Sequence, residues 1–315
     1  MIYILLIASL AGIAFGADWL VGGSVAVAKK YKISDFVIGA AIVGIGTSMP
    51  ELVVSFIGAL EGNSAVAIGN VVGSNIFNIL GILGITALFY PIAINKVNLR
   101  FEILFNIFIS LLLLLFTTNF VKGSPAFITR IDGIILIVVF SIYMWYSLYR
   151  DLKQKKDYPE SVESVNSALW LAIMKIVAGL AILITSCDIF VENAVRLAKA
   201  FNINDSFISL TLIACGTSLP EFAASITAAI RKNTQLALGN IIGSNIFNAT
   251  LILGVSAEVM PLTSGGITIV DYLVMTAAAI VPMLLGIVGK IGRLSGLLMV
   301  LGYICYTWYL LENQA

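Results

Sequence analysis

Long apolar runs separated by short polar breaks dominate this chain. A helix needs about 20 mainly apolar residues to cross a bilayer. That window picks out ten stretches, at roughly 2–28, 34–60, 64–90, 101–117, 126–149, 168–198, 204–230, 234–260, 267–288 and 294–311. The first contains Ala14-Phe15-Gly16-Ala17, which looks like a signal-peptide cleavage site, but no basic segment precedes it, so it reads as a span. The longest polar break, about Arg150 to Ser167, is rich in Lys, Glu and Ser and has no apolar period, so it reads as a linker.

The pattern also repeats. Gly46-Thr47-Ser48-Met49-Pro50-Glu51 returns 170 positions later as Gly216-Thr217-Ser218-Leu219-Pro220-Glu221. Gly69-Asn70-Val71-Val72-Gly73-Ser74-Asn75-Ile76-Phe77-Asn78 returns at the same offset as Gly239-Asn240-Ile241-Ile242-Gly243-Ser244-Asn245-Ile246-Phe247-Asn248. Asp18 with Asp188, Lys29 with Lys199, Asp35 with Asp205 and Pro91 with Pro261 keep the register. The expected architecture is therefore all-α and integral to the membrane: one five-helix repeat over 1–149, a linker over 150–167, and a second repeat over 168–315. Five is odd, so the second copy enters from the opposite side. Such inverted repeats place a transport site at the midplane between the halves. Inherited packing alone would not make the polar stretches the best matched.

Composition narrows the function. The 315 residues are 60% hydrophobic and 11% charged, whereas a soluble domain is about half apolar and roughly a quarter charged. The 18 basic and 17 acidic residues nearly cancel, leaving no field to attract nucleic acid. The absence of His removes His-based triads and most zinc sites. Cys187, Cys215 and Cys305 form an odd set with no CxxC, so neither a disulfide framework nor a zinc cluster is expected. Lys and Arg then orient the spans. Of the 18, only Lys122, Arg130, Arg196 and Lys199 fall in one alternate set of loops. The crowded side is read as cytoplasmic, with the linker there and both termini outside.

The candidate chemistry is a set of oxygens. Glu51 and Glu221 lie mid-span, where a carboxylate costs about 2.5–3.5 kcal/mol, and no basic residue lies within the second, third, seventh or eighth spans proper. A bound cation fits that charge. Pro50 and Pro220 delete helix hydrogen bonds, and Gly44, Gly46 and Gly216 weaken the same turns, so spans 2 and 7 should be broken there with carbonyls free. Thr47 and Thr217 share a helical face with the glutamates, and Ser74 with Asn78, like Ser244 with Asn248, repeats that spacing. All-oxygen sites suit hard cations such as Ca²⁺ and Na⁺. Gly69, Gly73, Gly239 and Gly243 should allow close helix packing. Asp18 and Asp188 sit inside spans with no nearby base and are weaker candidates. Cys215 reads as inert packing.

These motifs resemble the two alpha-repeats of the cation/calcium exchanger superfamily, sodium/calcium branch, over nearly the whole chain. The resemblance implies ten helices and Na⁺-driven Ca²⁺ movement, with no catalytic residues and no cofactor. It implies that Glu51 and Glu221 are shared Ca²⁺/Na⁺ carboxylates and that Thr47 and Thr217 complete the Ca²⁺ site. Ser48, Ser74, Ser218 and Ser244, with the carbonyls of Gly44 and Ala214, would serve flanking Na⁺ sites, and Asn78 and Asn248 would line the middle. Potassium-dependent relatives typically carry Asp at the position of Asn248, and proton-coupled ones a Glu that GNVVG and GNIIG lack. The expectation is thus a K⁺-independent, electrogenic antiporter of the cell membrane, with Ca²⁺, Na⁺ and the bilayer as partners and no obligate protein partner. Proton/Ca²⁺ or K⁺-dependent exchange is the alternative. A cation channel would not need two inverted broken-helix motifs, and an intramembrane protease would need a dyad that GTSxPE does not provide.

Overall fold

The computed structural model describes residues 2–94, 99–117, 128–153, 169–201, 215–263, 267–287 and 289–314. Within these the fold is almost entirely helical. The helices are α1 (Ile2–Tyr31), α2 (Asp35–Thr47), α3 (Met49–Leu60), α4 (Ser64–Phe89), α5 (Leu99–Thr117) and α6 (Arg130–Lys153). Then come α7 (Leu169–Ala200), α8 (Leu219–Ile230), α9 (Thr234–Val259), α10 (Ile269–Ile287) and α11 (Arg293–Gln314). Seven are long and apolar enough to cross a membrane; α2 and α3, bent by 47° at a short break, make an eighth if the pair is taken as one span, and Phe101–Phe116 and Leu219–Ile230 are shorter apolar helices. The first half of the expected seventh span and nearly all of the expected linker lie outside the described residues, so no boundary between the halves is drawn from the coordinates.

Burial sorts the helices into a centre and a periphery. The most apolar window of α9 is 94% buried and that of α4 78%, against 33% for α1, 22% for α7 and 11% for α11. The central pair is small-residue rich where it meets α2. A Cβ added at Gly243 would lie 2.5 Å from Ala40 Cα, and one at Gly44 3.1 Å from both the Asn240 carbonyl and the Ser244 nitrogen. Only glycine permits that approach. The close approach expected at Gly69 and Gly73 is not seen among the described residues: a Cβ at Gly73 would meet nothing within 4 Å, and one at Gly69 only the Ile267 side chain at 3.4 Å. At the periphery α1 and α7 cross at Gly16 and Gly179: a Cβ on Gly16 would lie 2.6 Å from the Leu183 nitrogen, and one on Gly179 2.6 Å from that of Leu20. This pair leans on the centre through a separate apolar cluster that includes Ala17, Leu20, Val21, Leu183, Ala223 and Ala224.

Loops tie the helices at both ends. β1 (Ile92–Ala93) pairs antiparallel with β2 (Lys290–Ile291), and Gln235 Nε2 donates to the Ala93 carbonyl at 2.9 Å. At the opposite end Ile128 and Leu262 exchange backbone hydrogen bonds at 2.9 Å.

Candidate functional site

Each repeated GTSxPE motif starts a helix mid-molecule. Pro50 and Pro220 occupy the first turns of α3 and α8, where a missing N–H costs nothing, and Glu51 and Glu221 fall in the same turns, where the helix dipole favours an acid. The preceding serines leave helical geometry almost identically, Ser48 at φ −83°, ψ 10° and Ser218 at φ −88°, ψ 8°. The break falls at Ser48, between the Gly46 and Pro50 that the sequence marked, and Gly44 itself stays helical. The Gly44 carbonyl is correspondingly not free: it accepts from the Ser48 N–H at 3.1 Å, the Thr47 hydroxyl at 3.4 Å and the Ser244 hydroxyl at 3.2 Å.

The two motifs hold each other. Ser48 donates to Glu221 Oε1 at 2.7 Å, and Ser218 donates to Glu51 Oε1 at 2.9 Å. Ser218 also donates to Ser74 at 3.1 Å, and Ser74 lies 3.5 Å from Glu51 Oε1. Thr47 donates to Asn240 Oδ1 at 3.3 Å, and Thr217 to Asn70 Oδ1 at 3.4 Å. So Glu51, Glu221, Ser48, Ser218, Ser74, Thr47 and Thr217 form one cluster drawn from both motifs, and Ser244 joins it through Gly44. Ala214 lies outside the described residues.

Both carboxylates are fully buried, and neither forms an ion pair among the described residues. Among the described residues their second oxygens, Glu51 Oε2 and Glu221 Oε2, have no hydrogen-bond partner, and neither have Asn78 Oδ1 and Asn248 Oδ1. Buried acceptors are normally satisfied; these four go without a partner among the described residues, as do some outside the motifs such as Asn193 Oδ1 and Ser256 Oγ. Among the described residues no three His, Cys, Asp or Glu side chains converge, which leaves hydroxyls, amides and carbonyls to complete any coordination shell.

The supporting residues were not singled out from the sequence. Asn70 donates to the Glu51 carbonyl at 3.1 Å and to Ser55 at 2.9 Å; Asn240 does the same to the Glu221 carbonyl at 3.2 Å and to Ser225 at 2.9 Å. Asn75 and Asn245 donate to each other's backbone carbonyls at 3.1 and 3.0 Å, and Asn78 donates to Asn245 Oδ1 at 3.0 Å. Their signal was present: each pair sits at the repeat offset inside the motifs. The π-helical turns Gly39–Gly44, Phe77–Leu83 and Asn248–Ile252, a geometry frequent at functional sites, left none.

The surroundings do not share the centre's symmetry. A cavity of about 690 Å³ opens between α3, α7 and the start of α8, with Pro50, Val53, Asp188, Glu192, Gly216 and Thr217 among its walls. On the opposite side the repeat-equivalent positions are packed: Val21, Ala223 and Ala224 are buried in one apolar cluster, and Thr47 is fully buried. Asp188 thus lines an open path. Asp18, expected to lack a base, is instead ion-paired with Arg231, whose position at the end of α8 lets it reach across to α1. Cys215 packs with its sulfur 3.6 Å from the Tyr303 hydroxyl.

The profile of the family described as sodium/calcium exchanger protein matches residues 1–149 and 171–312. This chain belongs to the sodium/calcium exchanger family. It is a multi-pass transmembrane antiporter, and its family moves cations rather than transforming a substrate. It is 29% identical to the sodium/calcium exchanger MaX1 of Methanosarcina acetivorans, over 96% of this chain and 97% of that one. It is 33% identical to the inner membrane protein YrbG of Escherichia coli, over 82% of this chain and 79% of that protein. Among solved structures, it superposes on the sodium-calcium exchanger NCX_Mj with a TM-score of 0.84 and 32% identity, covering 98% of this chain and all of the other.

Proposed function

We propose that this exchanger moves Ca²⁺ against Na⁺ by alternating access, without K⁺ and with net charge movement, through ten spans arranged as two inverted five-helix repeats. The observation that carries the reading is the buried centre itself: two carboxylates, one from each motif, each leaving an oxygen that has neither a donor nor a basic partner among the described residues. Glu51 and Glu221 are the shared Ca²⁺/Na⁺ ligands. Thr47 and Thr217 complete the Ca²⁺ site, while Ser48, Ser74, Ser218 and Ser244, with the carbonyls of Gly44 and Ala214, serve Na⁺. Asn78 and Asn248 line the middle.

The reciprocal contacts support the inverted arrangement, because Ser48 with Glu221 and Ser218 with Glu51 are related by exchanging the motifs. Two further facts support the topology. The loops around Ala93, Gln235 and Lys290 meet at one end, and those around Ile128 and Leu262 at the other, as an alternating path through ten spans requires. The crowding of Lys and Arg places the first end in the cytoplasm, and both termini outside. The cavity, with Arg196 and Lys199 on its wall, then opens outward and this conformation is outward-facing.

Ion-free, two buried carboxylates repel each other in a site of low dielectric, and that state crosses poorly. Ca²⁺ leaves the centre neutral. Three Na⁺ would leave one positive charge, so each cycle moves charge worth about 2.3 kcal/mol per 100 mV. Ca²⁺ uptake into proteoliposomes loaded with Na⁺ tests this. Uptake should require internal Na⁺, ignore K⁺, and accelerate with an inside-positive potential. Equal uptake driven by a pH gradient alone would favour proton coupling, and single-channel currents in planar bilayers would favour a channel.

A further inference from the structure

We infer that the Asp18–Arg231 ion pair biases the exchanger toward the conformation with this cavity open, and that the sequence gives the opposite conformation a repulsion in place of a matching clasp. The inference rests on the alternating-access reading, in which the two halves exchange roles.

The ion pair lies on the closed side. It ties α1, one member of the peripheral α1–α7 pair, to the end of α8. The guanidinium rests over Gly22, where an added Cβ would lie 3.1 Å from Nη1. Opening this side by moving α1 away from α8 must break that contact.

The first half builds the same corner with different charge. Glu61 ends α3 at φ −82°, ψ 2°, as Arg231 ends α8 at φ −74°, ψ 7°. A left-handed residue follows each, Gly62 at φ 76° and Lys232 at φ 61°. Asn63 and Asn233 then cap α4 and α9 alike, accepting from the N–H groups of Val66 and Leu236. Glu61 and Arg231 therefore hold equivalent places. The equivalents of Asp18 and Gly22 are Asp188 and Glu192, both exposed on the wall of the open cavity.

Exchanging the roles of the halves closes α7 onto α3 and brings Glu61 toward Asp188 and Glu192. Where one side has an acid, a small residue and a base, the other has three acids. Arg196, 2.6 Å from Glu192, is the base within that group and offsets part of the repulsion; Lys199 stands about two turns from Glu192. Attraction on one side and repulsion on the other favour the same conformation. A two-state equilibrium responds to such a difference even when each contact is weak.

The test measures the two states directly. Spin labels on Ile57→Cys and Val195→Cys span the cavity mouth, in the full chain with Cys187, Cys215 and Cys305 replaced by Ala and transport verified. Distances are read in lipid nanodiscs with Na⁺, with Ca²⁺ and without either. The parent should show a long and a short distance with the long one dominant. Arg231→Gln should raise the short-to-long ratio about threefold to fivefold, the scale of an exposed ion pair. Glu61→Arg, which leaves Asp18 and Arg231 intact and supplies the missing base, should shift it the same way. Exchanging the charges, Asp18→Arg with Arg231→Asp, should return it to the parent value. Unchanged ratios in both Arg231→Gln and Glu61→Arg would overturn the bias while leaving alternating access standing. A single distance under every ionic condition in a transporting parent would overturn the access reading at this cavity, and the bias with it.

Discussion

Replacing Glu221 with Gln keeps the shape of the site and removes one charge. The amide oxygen can still accept the Ser48 hydroxyl, now 2.7 Å from Oε1, and the helix break is untouched, so the protein should fold and solubilise as before. What changes is the balance at the midplane. With Ca²⁺ bound, one carboxylate leaves one positive charge uncompensated among groups that are fully buried. A single charge at that depth costs about 2.5–3.5 kcal/mol, which corresponds to a roughly 70- to 400-fold loss of the loaded state at 1.36 kcal/mol per factor of ten. Na⁺-driven Ca²⁺ uptake in proteoliposomes, normalised to protein inserted, should fall by that factor. Glu51→Gln should match it, because each carboxylate is fully buried and accepts a serine hydroxyl from the other motif. Exchange within tenfold of wild type in either variant would refute the reasoning.

Three further expectations follow from particular contacts. Ser48→Ala removes a hydrogen bond to a buried carboxylate, worth about 1.5–3 kcal/mol, and should weaken exchange roughly tenfold or more in Na⁺ titrations, whereas Ser48→Thr, which keeps the hydroxyl, should retain most of it. Gly243→Ala places a Cβ 2.5 Å from Ala40 Cα; forcing α9 and α2 apart should cost about 1–3 kcal/mol, read as a lower unfolding temperature, and should reduce transport by moving Ser244 off the Gly44 carbonyl. Asn248→Asp adds a third carboxylate at a fully buried position, so with the proposed central site Ca²⁺ would leave a net negative charge. Uptake should then acquire a dependence on pH or K⁺, and an unaltered ion profile would show position 248 to be passive.

The sequence by itself determined the membrane class, the repeat and the identity of the central acids. Those properties are local: apolar run length, a fixed offset, and a carboxylate mid-span with no base in its helix. The same logic found the helix break, which falls at Ser48 between Gly46 and Pro50, but expected free carbonyls there, whereas that of Gly44 accepts from Ser48, Thr47 and Ser244. It also overlooked Asn70, Asn75, Asn240 and Asn245. Whether an amide is a ligand, a strut or a surface group depends on what stands opposite, and for Asn75 and Asn245 that is the other motif, 170 residues away. Asp18 shows the same limit: no base is near it in the chain, yet Arg231 reaches it across two packed helices. Only the tertiary structure decided that the centre is symmetric while its surroundings are not, with one side packed by Val21, Ala223 and Ala224 and the other open at Asp188. A fixed offset shows two related halves; which side is closed depends on contacts between them, such as Asp18 with Arg231, that only the fold brings together.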